Sequence, residues 1–184
     1  MSKIFEHFLD RSLAHVVRFN GKPQQFPESV AEHSFYVAYF TTILLYFLRK
    51  AGEPIDEAKA LKIAVVHDME EAFSGDILTP FKHYNEEILK AIRKVNRDTI
   101  PMMFEDLPQE LGTEMVNLWL EDAEQSSKEA QVVKLADKLS LISKCYEETK
   151  VGNDYFKPIY DRELDKLENI KYAWWQKIKK NILG

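Results

Sequence analysis

Residues 29–52 read SVAEHSFYVAYFTTILLYFLRKAG, and the periodicity of this stretch decides the fold class. Val30, Val37, Phe40, Thr41 and Leu44 recur at helical spacing and form one apolar stripe. Ser29 and Glu32 make a capping box at its start, and Gly52 stands just past its end, where a left-handed residue closes a helix. The apolar run inside it, Phe35 to Leu48, is 14 residues long. A membrane span needs roughly 20, so the stretch predicts a buried core helix.

The same spacing recurs on both sides, over 3–19, 56–73, 84–100, 108–122, 127–151 and 155–182. Asp56 is placed to cap the third helix, Gly152 to close the segment 127–151, and Pro101 and Pro108 to separate the middle helices. Strand-like alternation is scarce. The six glycines and seven prolines of the 184 residues make about 7% of the chain, against an average near 12%. So few chain breakers leave little room for the turns of an all-β protein. The expectation is an all-α fold, a single-domain helical bundle of about seven helices over residues 1–184.

Thirty acidic against 25 basic residues give a net charge of −5. That balance argues against a protein that coats nucleic-acid polymers or lies on a membrane surface, since both need a basic face. It leaves room for a small nucleotide at a local cationic site. The single cysteine, Cys145, excludes an internal disulfide and suits a reducing compartment. The start, MSKIFEHFLD, lacks an apolar signal core, so the expected location is cytoplasmic. No glycine-rich phosphate loop and no GxSxG motif occurs, which leaves P-loop and acyl-transfer chemistry without support. Two connections, 20–28 and 74–81, are candidate binding loops.

Polar residues on stripes that should be buried carry the functional signal. His33 falls on the stripe of the second helix. His67 follows Ala60, Ile63 and Ala64 on the third, with Asp68 beside it and Glu71 one turn on. Asp137 sits among Val133, Ala136 and Leu141. Singly, each histidine reads as a hydrogen-bonded core residue, and Asp137 as a partner of Lys134 or Lys138. Together they form a nitrogen and oxygen ligand set drawn from three helices. Imidazole suits Zn, Co, Ni, Fe or Cu, and carboxylate suits Mn or Mg as well.

The ordered set His33, His67–Asp68 and Asp137, spaced by 34 and 69 residues, resembles the H…HD…D signature of the HD-domain phosphohydrolases. The match extends to the bacterial HD-domain 5′-deoxynucleotidases. It includes Arg18, EHS at 32–34, HDMEEAFSGDILTPFK at 67–82, KLAD at 134–137 and KCYEETKVGN at 144–153, and it runs from about residue 5 to 165.

The resemblance implies an HD-domain bundle that binds one divalent transition-metal ion (Co, Mn, Zn, Fe, Ni or Cu, with Mg fitting less well) through His33, His67, Asp68 and Asp137. Glu71 resembles the family's catalytic glutamate, which orients or deprotonates the attacking water. Asp76 resembles a second carboxylate at the substrate, catalytic or in contact with the sugar. Arg18 would hold phosphate, with Lys82 a further candidate for that role. Phe19 departs from relatives that carry tryptophan there, and its smaller ring would leave room for a ribose 2′-hydroxyl.

The implied activity is metal-dependent removal of the 5′-phosphate from (deoxy)nucleoside 5′-monophosphates, by a homodimer. Alternatives are hydrolysis of a nucleoside triphosphate or cyclic nucleotide, or a non-catalytic nucleotide-binding module. His7, His15 and His83 lack comparable partners. Tyr172, Trp174 and Trp175 read as helix packing or a subunit contact, and Lys177, Lys179 and Lys180 suit a helix C-terminus.

Overall fold

The computed structural model describes residues 2–184. Ten α-helices follow in order: α1 (Lys3–Leu9), α2 (Val30–Lys50), α3 (Glu57–Val66), α4 (Glu71–Ser74), α5 (Thr79–Lys82), α6 (Glu86–Met103), α7 (Gln109–Glu124), α8 (Lys128–Lys150), α9 (Lys157–Glu168) and α10 (Ala173–Leu183). Seven of them have ten or more residues, in line with the expected all-α bundle. Among the described residues one isolated bridge, Val17 to Ser29, is the only β pairing, and no helix is long and apolar enough to cross a membrane.

The capping signals form as read. Ser29 and Glu32 make the reciprocal capping box of α2, and Asp56 accepts from the Lys59 N–H at the start of α3. Gly52 and Gly152 adopt φ of 70° and 83° just beyond α2 and α8, a region open to glycine because it has no Cβ.

Four boundaries differ from the sequence expectation. The segment 3–19 is helical only to Leu9, because the Asp10 side chain captures the Ser12 N–H and hydroxyl and turns the chain into a 3-10 turn at Ser12–Ala14. The segment 56–73 breaks at His67, where the ladder tightens to Met69 N–H on Val66 and Glu71 N–H on Asp68. Pro101 does not end α6 but lies inside its last turn. The carbonyl this proline leaves unpaired belongs to the exposed Arg97, where water can serve it. The segment 155–182 divides at Asn169, whose side chain bonds back to the Asp165 carbonyl. That turn lets Trp175 enter the core fully buried, so the Tyr172–Trp174–Trp175 cluster is helix packing.

The core lies where α2, α3 and α8 meet. Val37, Leu44 and Leu48 of α2, Ile63 and Ala64 of α3, and Val132, Val133 and Ala136 of α8 are fully buried there. The alanines let the three backbones approach closely, so polar side chains at the end of this junction are held by rigid helices. A second tight contact joins α6 to α7, where a Cβ on Gly112 would lie 2.9 Å from the Phe104 carbonyl oxygen.

Gly112→Ala is therefore expected to destabilise the fold by about 1–3 kcal/mol through overpacking. Thermal unfolding should show a midpoint several degrees lower. An unchanged midpoint would mean that the α6–α7 junction yields freely.

Candidate active site

His33 lies in the first turn of α2 and is fully buried. Its Nδ1 meets Ser140 Oγ of α8 at 3.0 Å, which fixes the ring. His67 caps the C-terminus of α3, and its Nδ1 donates to the Ala64 carbonyl at 2.9 Å. A carbonyl only accepts, so Nδ1 carries a proton and Nε2 is the ring nitrogen turned to the cluster. Backbone contacts of this kind orient imidazoles that hold metals.

The two Nε2 atoms are buried and have no hydrogen-bond partner. Asp68 Oδ2 lies 3.2 Å from that of His67 and 3.5 Å from that of His33, and Asp137 Oδ1 lies 3.3 Å from the latter. Each of His33, His67 and Asp68 can offer one atom within a 4.8 Å cluster. Asp137 joins through His33, while its other oxygen accepts from Lys134 Nζ at 2.7 Å. The neighbour pairing read for Asp137 thus exists alongside its place at the cluster. Lys138 instead pairs with Glu163 at 2.8 Å.

The break after α3 explains why two consecutive residues reach one point. Adjacent side chains on a regular α-helix diverge by about 100°. The tightened turns from 67 to 73 bring His67 and Asp68 to the same cluster and place Glu71 at the head of α4. One oxygen of Glu71 is buried and without a partner. Asp76 follows Gly75, which turns the chain at φ 70°.

Asp76 Oδ2 accepts the Phe19 N–H at 2.8 Å. Phe19 holds φ at 55°, a left-handed conformation rare for a bulky residue, and its ring packs edge-on against the buried Phe156 at 5.0 Å. Arg18 lies on the turn after Val17, and its Nη1 donates to Glu28 at 2.6 Å. Burial lowers the Arg18 pKa, but Glu28, Asp137 and Asp68 outweigh it and raise it, so its positive charge faces the cluster. Lys82 ends α5, half-buried, on the side of Glu70. His15 and His83 are exposed, and His7 packs near Phe104.

Sequence reasoning missed two groups here. Glu70 is buried and accepts from Trp119 Nε1 at 2.6 Å, and Asp122 of α7 interacts electrostatically with His67. The sequence marks Glu70 only as the neighbour of Glu71, and nothing in the sequence brings α7 to this place. The site therefore gathers more carboxylates than cations, and the charges respond. Burial, then Asp68, Asp76 and Glu70, push Glu71 up to about 9. Burial and Asp68 push Glu70 up to about 7, and burial pushes Asp122 up to about 6. Burial alone would lower His67, but Asp68 overcomes it and raises it to about 9. Such a site fits a divalent cation: free imidazole nitrogens converge on carboxylates that repel one another.

Residues 5–183 match the family described as 5′-deoxynucleotidase YfbR-like. The chain belongs to that family. It is 35% identical over 130 residues to a 5′-deoxynucleotidase of Vibrio vulnificus, covering 70% of this chain and 66% of the relative. The matched stretch thus spans about two thirds of that relative's length. Among solved structures, an HD-domain phosphohydrolase of Listeria innocua superposes with a TM-score of 0.81 at 26% identity, over 98% of this chain and 87% of that one. A cyanophage S-2L HD phosphohydrolase, solved with dA and one catalytic Zn2+ ion, shares the fold at a TM-score of 0.69 and 17% identity, over 98% and 94% of the two chains.

Metal must displace the proton from His67 Nε2, so its apparent affinity should fall about tenfold per pH unit below about 9. The stability sign agrees. Glu71 and His67 have folded pKa values raised above their unfolded ones, so their contribution in metal-free protein is present at low pH. It is lost as pH climbs toward about 9. The rise in melting temperature caused by added metal should therefore grow between about pH 6 and 9. A metal-induced shift independent of pH would sink this account of the cluster.

Proposed function

We propose that this protein is a metal-dependent phosphomonoesterase that removes the 5′-phosphate from (deoxy)nucleoside 5′-monophosphates. One observation carries the reading: two buried, partnerless imidazole nitrogens converge on Asp68 and Asp137, with Arg18 facing the cluster and a bare oxygen of Glu71 beside it. Membership of the YfbR-like family supports the nucleotide substrate.

His33, His67, Asp68 and Asp137 would hold one divalent ion. Two imidazole donors favour a transition metal such as Zn, Co, Mn, Fe, Ni or Cu over Mg. When bound, the ion supplies Lewis-acid polarisation of a phosphoryl oxygen and of water. Burial and the neighbouring carboxylates keep Glu71 protonated; beside a bound cation Glu71 would ionise and could then take the water's proton. As the water oxygen bonds to phosphorus, the P–O5′ bond breaks, its electron pair leaves with the 5′ oxygen, and that oxygen gains a proton. The products are a nucleoside and orthophosphate.

Glu28 fixes one edge of the Arg18 guanidinium, leaving its other N–H groups to grip phosphate. Lys82 adds positive charge at the rim. Asp76 contributes by holding Phe19 in its left-handed conformation, which presents the ring at the sugar. The phenyl ring is smaller than the tryptophan of relatives and leaves room for a 2′-hydroxyl. Residues 1–184 form one HD domain in this reading, and the buried free Cys145 suits the reducing cytoplasm.

A homodimer fits the outer face of α2. There Tyr36, Tyr39, Ile43 and Tyr46 are exposed at alternating three- and four-residue spacing, which is the seam spacing of paired helices. Ile43→Glu should convert a dimer to monomer in sedimentation velocity. A monomeric wild type would remove the dimer from this reading.

The activity test is phosphate release from ribo- and deoxyribonucleoside 5′-monophosphates by metal-stripped protein resupplied with single metals. Glu71→Ala should keep its metal and lose at least about a hundredfold in kcat. Asp137→Ala should lose both metal and turnover. Wild-type rates in Glu71→Ala would remove that residue from the mechanism, and silence of the wild type on every monophosphate would defeat the function.

A further inference from the structure

Lys144 and Glu148, toward the end of α8, are buried charges with no part in the site described above. They are 4% and 0% exposed and form an ion pair at 2.8 Å across one helical turn. A buried pair is stable only if its remaining donors and acceptors are satisfied. Apart from the exposed Glu147, 3.5 Å from Lys144, the groups that satisfy this pair come from the loop 20–28 and from the turn after α8.

Glu148 accepts the backbone N–H groups of Gln25 and Phe26, each at 3.0 Å, and Asn153 Nδ2 at 2.8 Å. Lys144 Nζ also donates to the Phe26 carbonyl, and Asn153 Nδ2 to the Pro23 carbonyl at 2.9 Å. A loop without helix or strand is thus gripped at Pro23, Gln25 and Phe26 by the motif KCYEETKVGN, which the catalytic reading leaves without a role.

Gln25 and Phe26 sit between the two residues that hold Arg18. Gln24 Nε2 donates to the Arg18 carbonyl at 2.8 Å. The Glu28 carbonyl accepts the Arg18 N–H at 2.9 Å, and its carboxylate accepts Arg18 Nη1. A chain of contacts therefore runs from Glu148 through Gln25 and Phe26 to Gln24 and Glu28, and from them to the guanidinium.

We propose that Lys144, Glu148 and Asn153 are positioning residues: they lock the loop 20–28 so that Arg18 is held ready for the substrate phosphate. This rests on the phosphomonoesterase reading, in which Arg18 grips that phosphate. Holding the group in place before binding avoids paying its ordering entropy at each turnover. A merely structural clamp would alter stability and the active fraction without touching substrate affinity.

The test uses Asn153→Ala, which leaves the buried ion pair intact, with Glu148→Gln as a second, near-isosteric variant. In the metal-loaded enzyme either should raise KM for a deoxynucleoside 5′-monophosphate by about tenfold, with kcat within about twofold and metal content unchanged. In an Arg18→Ala background Asn153→Ala should add nothing to KM, because both changes act through one group. Hydrogen exchange at the Gln25, Phe26 and Arg18 amides should quicken in both variants. Unchanged exchange would overturn the clamp. Loss confined to kcat, or a KM effect that persists in full without Arg18, would overturn its role in positioning. If the wild type releases no phosphate from these substrates, the activity reading falls separately. Calorimetric binding of inorganic phosphate to metal-loaded wild type and Asn153→Ala then decides the clamp, with equal affinities refuting it.

Discussion

Mutual repulsion among carboxylates gathered away from water is the constraint on which the rest of this structure depends. Asp68, Glu70, Glu71, Asp76, Asp122 and Asp137 share the junction of α2, α3, α7 and α8 with fewer cations than they need. Burial first, and then repulsion from Asp68, push Glu71 and Glu70 above the ordinary carboxylate range, so protonation relieves part of the strain. A divalent cation held by His33, His67, Asp68 and Asp137 would relieve it more completely and would favour the ionised form of Glu71.

The scaffold keeps that charged arrangement from relaxing. The imidazole orientations are set from behind by Ser140 and by the Ala64 carbonyl, and Asp137 is held by Lys134. Glu70 is tied to the Trp119 indole. These partners lie on helices whose apolar faces are packed into the central core, so a side chain cannot move to escape repulsion without disturbing the packing.

The phosphate-facing side is built differently. Arg18 and Phe19 lie on irregular chain, and their placement comes from polar ties rather than helical packing. Phe19 is held in a left-handed conformation by Asp76 on one side and Phe156 on the other. Asp76 lies five residues beyond Glu71, so one short segment supplies a buried carboxyl group to the cluster and also restrains Phe19.

The helical class and most helix ends were legible from local chemistry, because capping and apolar periodicity act over only a few residues. Ser29, Glu32, Asp56, Gly52 and Gly152 act where the sequence places them. His33, His67, Asp68 and Asp137 stood out because polar groups on apolar stripes need partners, and the family pattern named their order. Tertiary structure alone decided the rest. The break at His67, the burial of Glu70 against Trp119 and the approach of Asp122 each depend on which helices pack together. So does the reach of Glu148 to a loop more than a hundred residues earlier. Periodicity runs unbroken through residue 67, and no spacing rule records a contact between α7 and the end of α3. Local preferences are properties of a few neighbouring residues. The electrostatics of the site belong to groups that become neighbours only when the core closes.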